Sequence, residues 1–136
     1  LLDLINLAQA FPKVVPEACV TCWREVVQRM LYWLDGMKHP DGEIAFFNDA
    51  AIGIAPSPVE LVAYASRLGL QANQVNGRVT HFSDSGYCRL ASSEALLLLD
   101  VAPVGPDYLP GHAHADTLSF ELSLFGQRVF VNGGTS

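Results

Sequence analysis

The spacing of hydrophobic residues along this 136-residue chain changes from a helical to a strand period near residue 77. In the first part, apolar side chains recur every three to four residues, which is typical of helices that pack on other helices. Three such segments begin at Leu1, Pro16 and Ser57. From Gly77 onward, short runs of alternating apolar and polar residues predict β-strands. The pattern therefore predicts an α+β chain in which helices precede an antiparallel sheet.

The ends of the predicted helices are marked by residues that start or stop helices. The second helix runs from Pro16 to Gly36, where we expect the glycine to adopt a left-handed conformation. The third helix starts with Ser57 as N-cap and has Glu60 three residues later, the spacing of a capping box. Gly69 ends it. Between the second and third helices, residues 38–58 have no clear period and are too apolar for a disordered linker, so they predict an ordered, partly buried crossing.

The strand region contains one segment with perfect alternation, TLSFELSL. Its period predicts that the apolar residues face a core and that the polar ones face the other side. The apolar set is Leu118, Phe120, Leu122 and Leu124, and the polar set is Ser119, Glu121 and Ser123. Gly126 and Gln127 then suit a two-residue hairpin turn, which would set Leu124 beside Val129.

Composition excludes some classes of function. Half of the residues are hydrophobic and 16% are charged, which indicates a globular protein. The net charge is −6 and the eight basic residues are scattered, so a nucleic-acid partner is not expected. No apolar run approaches the roughly 20 residues that span a bilayer. Cys19 and Cys22 lie on a predicted helix beside apolar residues, and we interpret them as small core residues.

The segment GHAHAD, residues 111–116, is the main candidate for chemistry. On an extended chain, His112, His114 and Asp116 share one face. Two imidazoles at this spacing can bind one metal, or one can bind a metal while the other transfers a proton or contacts a substrate. Histidines in a polar loop before a strand are also often solvated. The spacing alone leaves both interpretations open, and His39 and His81 are interpreted as solvated or core-edge residues.

The run GHAHADTLSFELSLFGQRVFVNGGT resembles the signature of the heparinase II/III-like polysaccharide lyases. The preceding FSDSGYCRLASSEALLLLDVAPVGP and the upstream PDGE turn are similar to further segments of that family. The resemblance covers nearly the whole chain. It implies incomplete α/α toroid helices in residues 1–72, followed by the first portion of an antiparallel β-sandwich in residues 73–136, with the active cleft between them. It also implies that the chain is a fragment of a longer protein.

The resemblance implies cleavage of a uronate-containing polysaccharide by β-elimination, in which a proton next to a carboxylate is removed. It makes His112 the catalytic candidate and His114 a ligand of zinc or another divalent metal. Asn132 occupies the position of a second ligand that is Asp in the family, and an amide oxygen is a weaker zinc ligand than a carboxylate. Asn48 and Asp49 in the crossing are ordinary turn formers. A crossing at the cleft would also make them candidates for substrate binding.

The sequence departs from the family pattern after the PDGE turn, where the family places a proton-transferring Tyr and EIAFFNDAAIG has none. A metal shared by His114 and Asn132 would also require a bend within residues 116–119, because a straight strand would keep them far apart. The leading hypothesis is a bacterial polysaccharide lyase with an acidic partner such as a glycosaminoglycan or alginate, located in the periplasm or cell envelope. The fragment alone is expected to be inactive. The alternatives are a non-catalytic or divergent glycan-binding relative that acts in surface polysaccharide assembly, and a structural sandwich without a site.

Overall fold

The computed structural model describes residues 1–103 and 116–133. Within these ranges, three helices precede five strands: α1 (Leu2–Ala10), α2 (Glu17–Gly36), α3 (Pro58–Arg67), β1 (Val79–Phe82), β2 (Tyr87–Ala91), β3 (Ala95–Asp100), β4 (Phe120–Leu124) and β5 (Gln127–Phe130). The strands form one antiparallel sheet in chain order, from β1 to β5. The predicted α+β class is confirmed. The division of domains at residues 72 and 73 stays a prediction.

The three helices pack around a first hydrophobic cluster, whose fully buried member in α1 is Ile5. Two side chains from α1 and α2 reach the end of α3: Gln9 and Arg24 donate hydrogen bonds to the carbonyl of Leu68, at 3.2 and 3.0 Å. They satisfy a carbonyl that the helix end leaves unpaired. The predicted capping box is confirmed, and so is the end of α3 before Gly69, which has a positive φ of 74°. The other buried members of the cluster are Val27, Leu31, Ala65, Leu68 and Leu70.

Gly36 has a different role from the predicted one. It is the last residue of α2 and is buried, and the left-handed conformation is absent there. A Cβ atom at Gly36 would lie 2.2 Å from Cζ of Phe82 in β1. The glycine is therefore required because the Phe82 ring packs directly against the helix backbone, a close approach that only a residue without a side chain permits.

Cys19 and Cys22 are exposed, so their interpretation as core residues is wrong. The physical reason is which face of α2 packs against the other helices. Val27 and Leu31 face α1 and α3, whereas no described residue covers the side of the helix that carries the two cysteines. Helical periodicity finds apolar positions but does not identify which of them meet a neighbour.

The sheet packs its inner face against the crossing between α2 and α3. β3 alternates strictly between partly and fully buried residues, and Leu98 is completely buried at the centre. Leu96 and Leu98 form a second hydrophobic cluster with Met37, directly after α2, and with Ala45 and Phe47 from the crossing. The crossing is thus ordered and partly buried, as predicted. Its start is fixed by a short antiparallel bridge between Lys38 and Ile44.

The prediction for the two faces of β4 is wrong. Glu121 and Ser123 are completely buried and face the crossing, while Phe120 is 44% exposed on the opposite side of the sheet. There Phe120 packs edge-on against Phe130. The polar residues face inward because buried partners satisfy them, as described below; without such partners their burial would cost several kcal/mol.

The register of the last hairpin also differs from the prediction. Phe125 and Gly126 both have positive φ, 51° and 80°, which makes them the two central residues of the turn. Leu124 consequently pairs with Gln127, and a bulge follows at Leu122 and Ser123. The predicted pairing of Leu124 with Val129 is therefore wrong. Within the described ranges, the structure contains no helix that is long and apolar enough to cross a membrane.

Candidate functional site

The two histidines of the GHAHAD segment, His112 and His114, lie outside the described residues. Their predicted catalytic and metal-binding roles stay predictions. The last residue of the segment, Asp116, is described, and it opens a turn that leads into β4. The surroundings of Asp116 therefore show which parts of the chain lie where the histidine segment ends.

Asp116 is joined to the crossing and to β2 by a chain of hydrogen bonds. The backbone N–H of Asn48 donates to Oδ2 of Asp116 at 2.6 Å. The side-chain amide of Asn48 donates to the hydroxyl oxygen of Tyr87 at 2.8 Å. Asn48 has a φ of 53°, in the left-handed region that asparagine tolerates better than most residues. The left-handed turn places its backbone and its side chain on two partners at once.

Tyr87 lies at the start of β2 among aromatic side chains. Its ring contacts Trp33 edge-on, with centroids 6.2 Å apart, and Phe47 at 5.3 Å. Burial raises the pKa of Tyr87 to about 12, and the negative charges of Asp100 and Asp116 act in the same direction, against the hydrogen bond from Asn48. The phenol is therefore protonated at neutral pH and is a hydrogen-bond donor. Tyr87 belongs to the Ser-Gly-Tyr segment of the family resemblance, and the sequence alone leaves open whether it faces the cleft or only a neighbouring strand.

The other two predicted residues of the site are found at its borders. Asp49 is exposed, next to Asn48. Asn132 donates its backbone N–H to Glu121 Oε1 at 2.9 Å and its side-chain amide to Ser119 Oγ at 3.3 Å. Ser119 in turn donates its backbone N–H to the carbonyl of Asp116 at 2.7 Å. Asn132 therefore lies beside the turn that follows the histidine segment.

The bend that a shared metal would require is present. Residues 116–118 form a turn, and Leu118 has a positive φ of 68°. The possible metal ligands among the described residues are less favourable for zinc. In residues 1–103 and 116–133, no group of three His, Cys, Asp or Glu side chains could hold a metal ion. Asn132 supplies a neutral amide, which is a weak ligand for zinc. The described residues by themselves do not fit a zinc site.

A second polar cluster, which the sequence analysis missed, lies under the sheet. His39 is buried, with its Nδ1 atom 2.7 Å from Ser123 Oγ and its Nε2 atom 2.7 Å from Glu121 Oε2. The other carboxylate oxygen of Glu121 accepts the backbone N–H groups of Phe46, at 2.8 Å, and Asn132. The only sequence signal was the polar half of the alternation in β4, opposite a histidine in the PDGE turn.

The residue types Ser, His and Glu occur in hydrolase triads, but this arrangement is structural. Ser123 is in the middle of a strand and is 0% exposed, so its hydroxyl cannot meet a substrate. Each carboxylate oxygen of Glu121 already has partners from different segments. The cluster connects the turn after α2, the crossing, β4 and the residues after β5, and it supports the loop that carries Asn48.

An exposed ion pair continues this support. Arg128 in β5 donates to both carboxylate oxygens of Asp41 in the PDGE turn, at 2.7 and 3.0 Å. The hydrogen bond from Arg128 holds the pKa of Asp41 below its ordinary value. The guanidinium also lies 5.0 Å from the centre of the Phe46 ring. The PDGE turn and the following crossing are thus anchored to the sheet at several points.

Comparison with known proteins places the second part of this chain in a family. Residues 74–136 match the sequence model of the family described as heparinase II/III-like, C-terminal. One of the similar solved structures is the heparan sulfate lyase HepC from Pedobacter heparinus, with a TM-score of 0.65 and 20% sequence identity; the match covers 98% of this chain and 23% of the lyase chain. At that identity the likeness shows the fold. No curated protein sequence matches the chain significantly. The predicted resemblance is therefore confirmed: residues 74–136 match the heparinase II/III-like C-terminal family, and the fold of the chain is similar to that of one part of the heparan sulfate lyase.

Proposed function

We propose that this chain forms part of the catalytic cleft of a polysaccharide lyase that cleaves uronate-containing chains by β-elimination. The observation that carries the proposal is the hydrogen-bonded path from Asp116 through Asn48 to Tyr87. It brings a protonated phenol and the end of the His-x-His segment to one place, from three distant parts of the sequence. The family of residues 74–136 supports the same conclusion.

In the proposed reaction, a base removes the proton at C5 of the uronate, the C4–O bond breaks, and a double bond forms between C4 and C5. The leaving oxygen must receive a proton. His112 is the candidate for proton removal or for contact with the uronate carboxylate. Tyr87 is the candidate proton donor, since its phenol stays protonated far above neutral pH. It would replace the tyrosine that is missing after the PDGE turn.

Asn48 and Asp116 would act by positioning. Asn48 directs the hydroxyl of Tyr87, and the carboxylate of Asp116 fixes the backbone of Asn48. Groups that are held in place before the substrate arrives lower the barrier because they need little reorganisation in the transition state. Asp49 is exposed beside them, where it could contact sugar hydroxyls.

Zinc and a periplasmic or cell-envelope location are further parts of the proposal. Because the described residues do not fit a metal site, no step above passes through a metal. Zinc analysis of the intact protein and of its His114→Ala variant checks the ligand role of that histidine. Fractionation of the cells that produce the protein checks its location.

The proposal is tested on the intact protein with a panel of acidic polysaccharides that includes heparan sulfate, alginate and polygalacturonate. Ultraviolet absorbance of the unsaturated uronate product measures cleavage. We expect His112→Ala to abolish activity and Tyr87→Phe to lower kcat by roughly 10²- to 10⁴-fold, the usual contribution of general acid–base catalysis. Tyr32→Phe is the matched control and should keep full activity, because Tyr32 packs on Phe82 instead.

Two results would contradict the proposal. Full kcat in Tyr87→Phe would remove the tyrosine as proton donor. Tight binding of acidic polysaccharides by the wild-type protein without any unsaturated product would favour the glycan-binding alternative. Both results require the variants to retain the circular dichroism spectrum of the wild type.

A further inference from the structure

Two adjoining cavities lie at the end of the sheet where β2 turns into β3. The larger has a volume of about 520 Å³ and the smaller about 380 Å³. They share Arg89, Ala91, Ser92 and Ser93, and together we call them the Arg89 groove. Tyr87 lines neither cavity, so the groove is separate from the candidate catalytic site.

The larger cavity is basic in a protein that is acidic overall. Arg78 and Arg89 both line it, and no carboxylate does, whereas the whole chain has a net charge of −6. Asn76, Ser92 and Ser93 add polar groups to the same wall. The two acidic residues of the groove, Asp35 and Glu94, line the smaller cavity. A local excess of positive charge of this kind attracts anions even when the average charge is negative.

Neither arginine of the larger cavity has a carboxylate partner among the described residues. Arg89 makes one long hydrogen bond, to the carbonyl of Gly77 at 3.3 Å, and its Nε atom is buried without a partner. The side chain of Arg78 has no hydrogen bond or ion pair among the described residues. In contrast, Arg128 makes a bidentate pair with Asp41.

One of the two carboxylates of the smaller cavity already has partners. Asp35 pairs with Lys38 at 3.0 Å and accepts the backbone N–H of Val75 at 2.8 Å. Two guanidinium groups in one cavity repel each other and gain most from a shared anion. Planar and tetrahedral oxyanions match the donor geometry of arginine.

We infer that the Arg89 groove is a second binding site for acidic polysaccharide, in which Arg78 and Arg89 hold a carboxylate or sulfate group. The cavity volume lies within the range of small-ligand sites, so it admits a sugar residue together with its anionic substituent. The site would hold the polymer without taking part in its cleavage. It shares the substrate class of the proposed function but requires no lyase activity.

The test measures binding of two hexasaccharides to the intact protein by titration calorimetry, which reports the number of sites as well as their affinity. Oligogalacturonate carries carboxylates only, and a heparin hexasaccharide also carries sulfates. We expect the double variant Arg78→Gln, Arg89→Gln to lose one binding site. If the site remains, its affinity for each hexasaccharide that the groove binds should fall at least about tenfold. Weaker binding of both hexasaccharides by the variant indicates that the groove recognises carboxylates. Weaker binding of the heparin hexasaccharide alone indicates that it recognises sulfates.

The matched control is Arg29→Gln combined with Arg67→Gln, which removes the same charge from α2 and α3. Those residues line neither cavity. The inference is overturned if the groove variant binds both ligands like the wild type, or if the control loses as much. A wild-type protein that binds but never cleaves would remove the lyase proposal alone. A groove variant that cleaves and binds unchanged would remove only this inference.

Discussion

Glu121 is an acidic residue, yet it is completely buried beneath the sheet. Taking a carboxylate out of water costs several kcal/mol, so such a residue persists only where its oxygens are fully paired. His39 pairs with one oxygen, and the backbone N–H groups of Phe46 and Asn132 pair with the other. A single side chain therefore anchors three segments that are distant in the sequence, and one of them leads into Asn48 of the candidate site.

Replacing Glu121 by Gln should destabilise the protein by about 2 to 4 kcal/mol, because an amide puts a donor where the carboxylate accepts and leaves at least one buried partner unpaired. Urea denaturation measures the change. Glu94→Gln is the control, since Glu94 is exposed and should change stability by less than about 0.5 kcal/mol. Equal stability of the Glu121 variant and the wild type would show that the buried cluster contributes nothing to the fold.

The same residue predicts a pH dependence of stability. Burial alone would raise the pKa of Glu121, but the hydrogen bonds from His39, Asn132 and Phe46 outweigh it and hold the pKa below its ordinary value of 4.5. The unfolded chain therefore binds the proton more readily. The stabilisation is present above about pH 4.5 and is lost as the pH falls through the lower pKa of the folded state.

The difference in unfolding free energy between the wild type and Glu121→Gln, measured from pH 7 to pH 3, should therefore shrink as the solution becomes acidic. Taking this difference cancels the contribution of Asp100 to the pH dependence. The pKa of Asp100 is raised mainly by burial, so its contribution has the opposite sign. A difference that stays constant or grows towards pH 3 would contradict the assignment.

At the scale of the elements, Gly36 and Phe82 show how a helix and a strand fix each other's position. Gly36→Ala should cost about 1 to 3 kcal/mol, since the new methyl group would overlap the Phe82 ring. Shortening the ring with Phe82→Leu should recover part of this loss, so the double variant should be more stable than the sum of the two single changes predicts. Thermal unfolding of the four proteins measures the coupling.

Gly133→Ala is the control for this pair, because nothing lies within 4 Å of a Cβ at that position. It should leave the melting temperature nearly unchanged. Strict additivity of the changes at Gly36 and Phe82 would mean that their contact does not determine the packing of α2 on the sheet.

The elements themselves were predictable because periodicity and capping are local. The capping box at Ser57 and the continuous apolar run of β3 can be recognised from adjacent residues. The inner face of β4 was not predictable, since its burial depends on His39, which is 82 residues away from Glu121. The hairpin register also failed, because Phe125 takes a left-handed conformation that sequence rules assign to glycine or asparagine.

The candidate site was predictable only in part, for the same reason. Asn48 was a candidate from its place in the apolar crossing, but its contact with Tyr87 spans 39 residues and has no local signal. The pKa of that tyrosine depends on burial and on Asp100 and Asp116, which only the folded chain brings near. The roles of His112 and His114 are inferred from the family resemblance, and mutation of each residue tests them.

For the whole molecule, the two hydrophobic clusters lie on either side of the junction between helices and sheet. The first is built from the three helices and the residues just after α3, and the second joins the crossing to β3. Met37 follows the end of α2 directly and belongs to the second cluster. The hydrogen bonds from Trp33 to Ser85 and from Val75 to Asp35 cross the same junction. The helices and the sheet should therefore unfold as one cooperative unit.

Leu98→Ala tests this cooperativity, because Leu98 is completely buried in the sheet and its truncation should cost about 2 to 5 kcal/mol. Hydrogen exchange followed by mass spectrometry reports the protection of α2 and β3 separately. If the junction couples them, peptides from both elements lose protection by the same factor, although the substitution is in the sheet alone. Leu31→Ala, in the helical cluster, should give the reciprocal result. Loss of protection confined to the mutated half in either variant would mean that the helices and the sheet open independently. In that case the sheet would support the Asn48 loop only through its direct contacts.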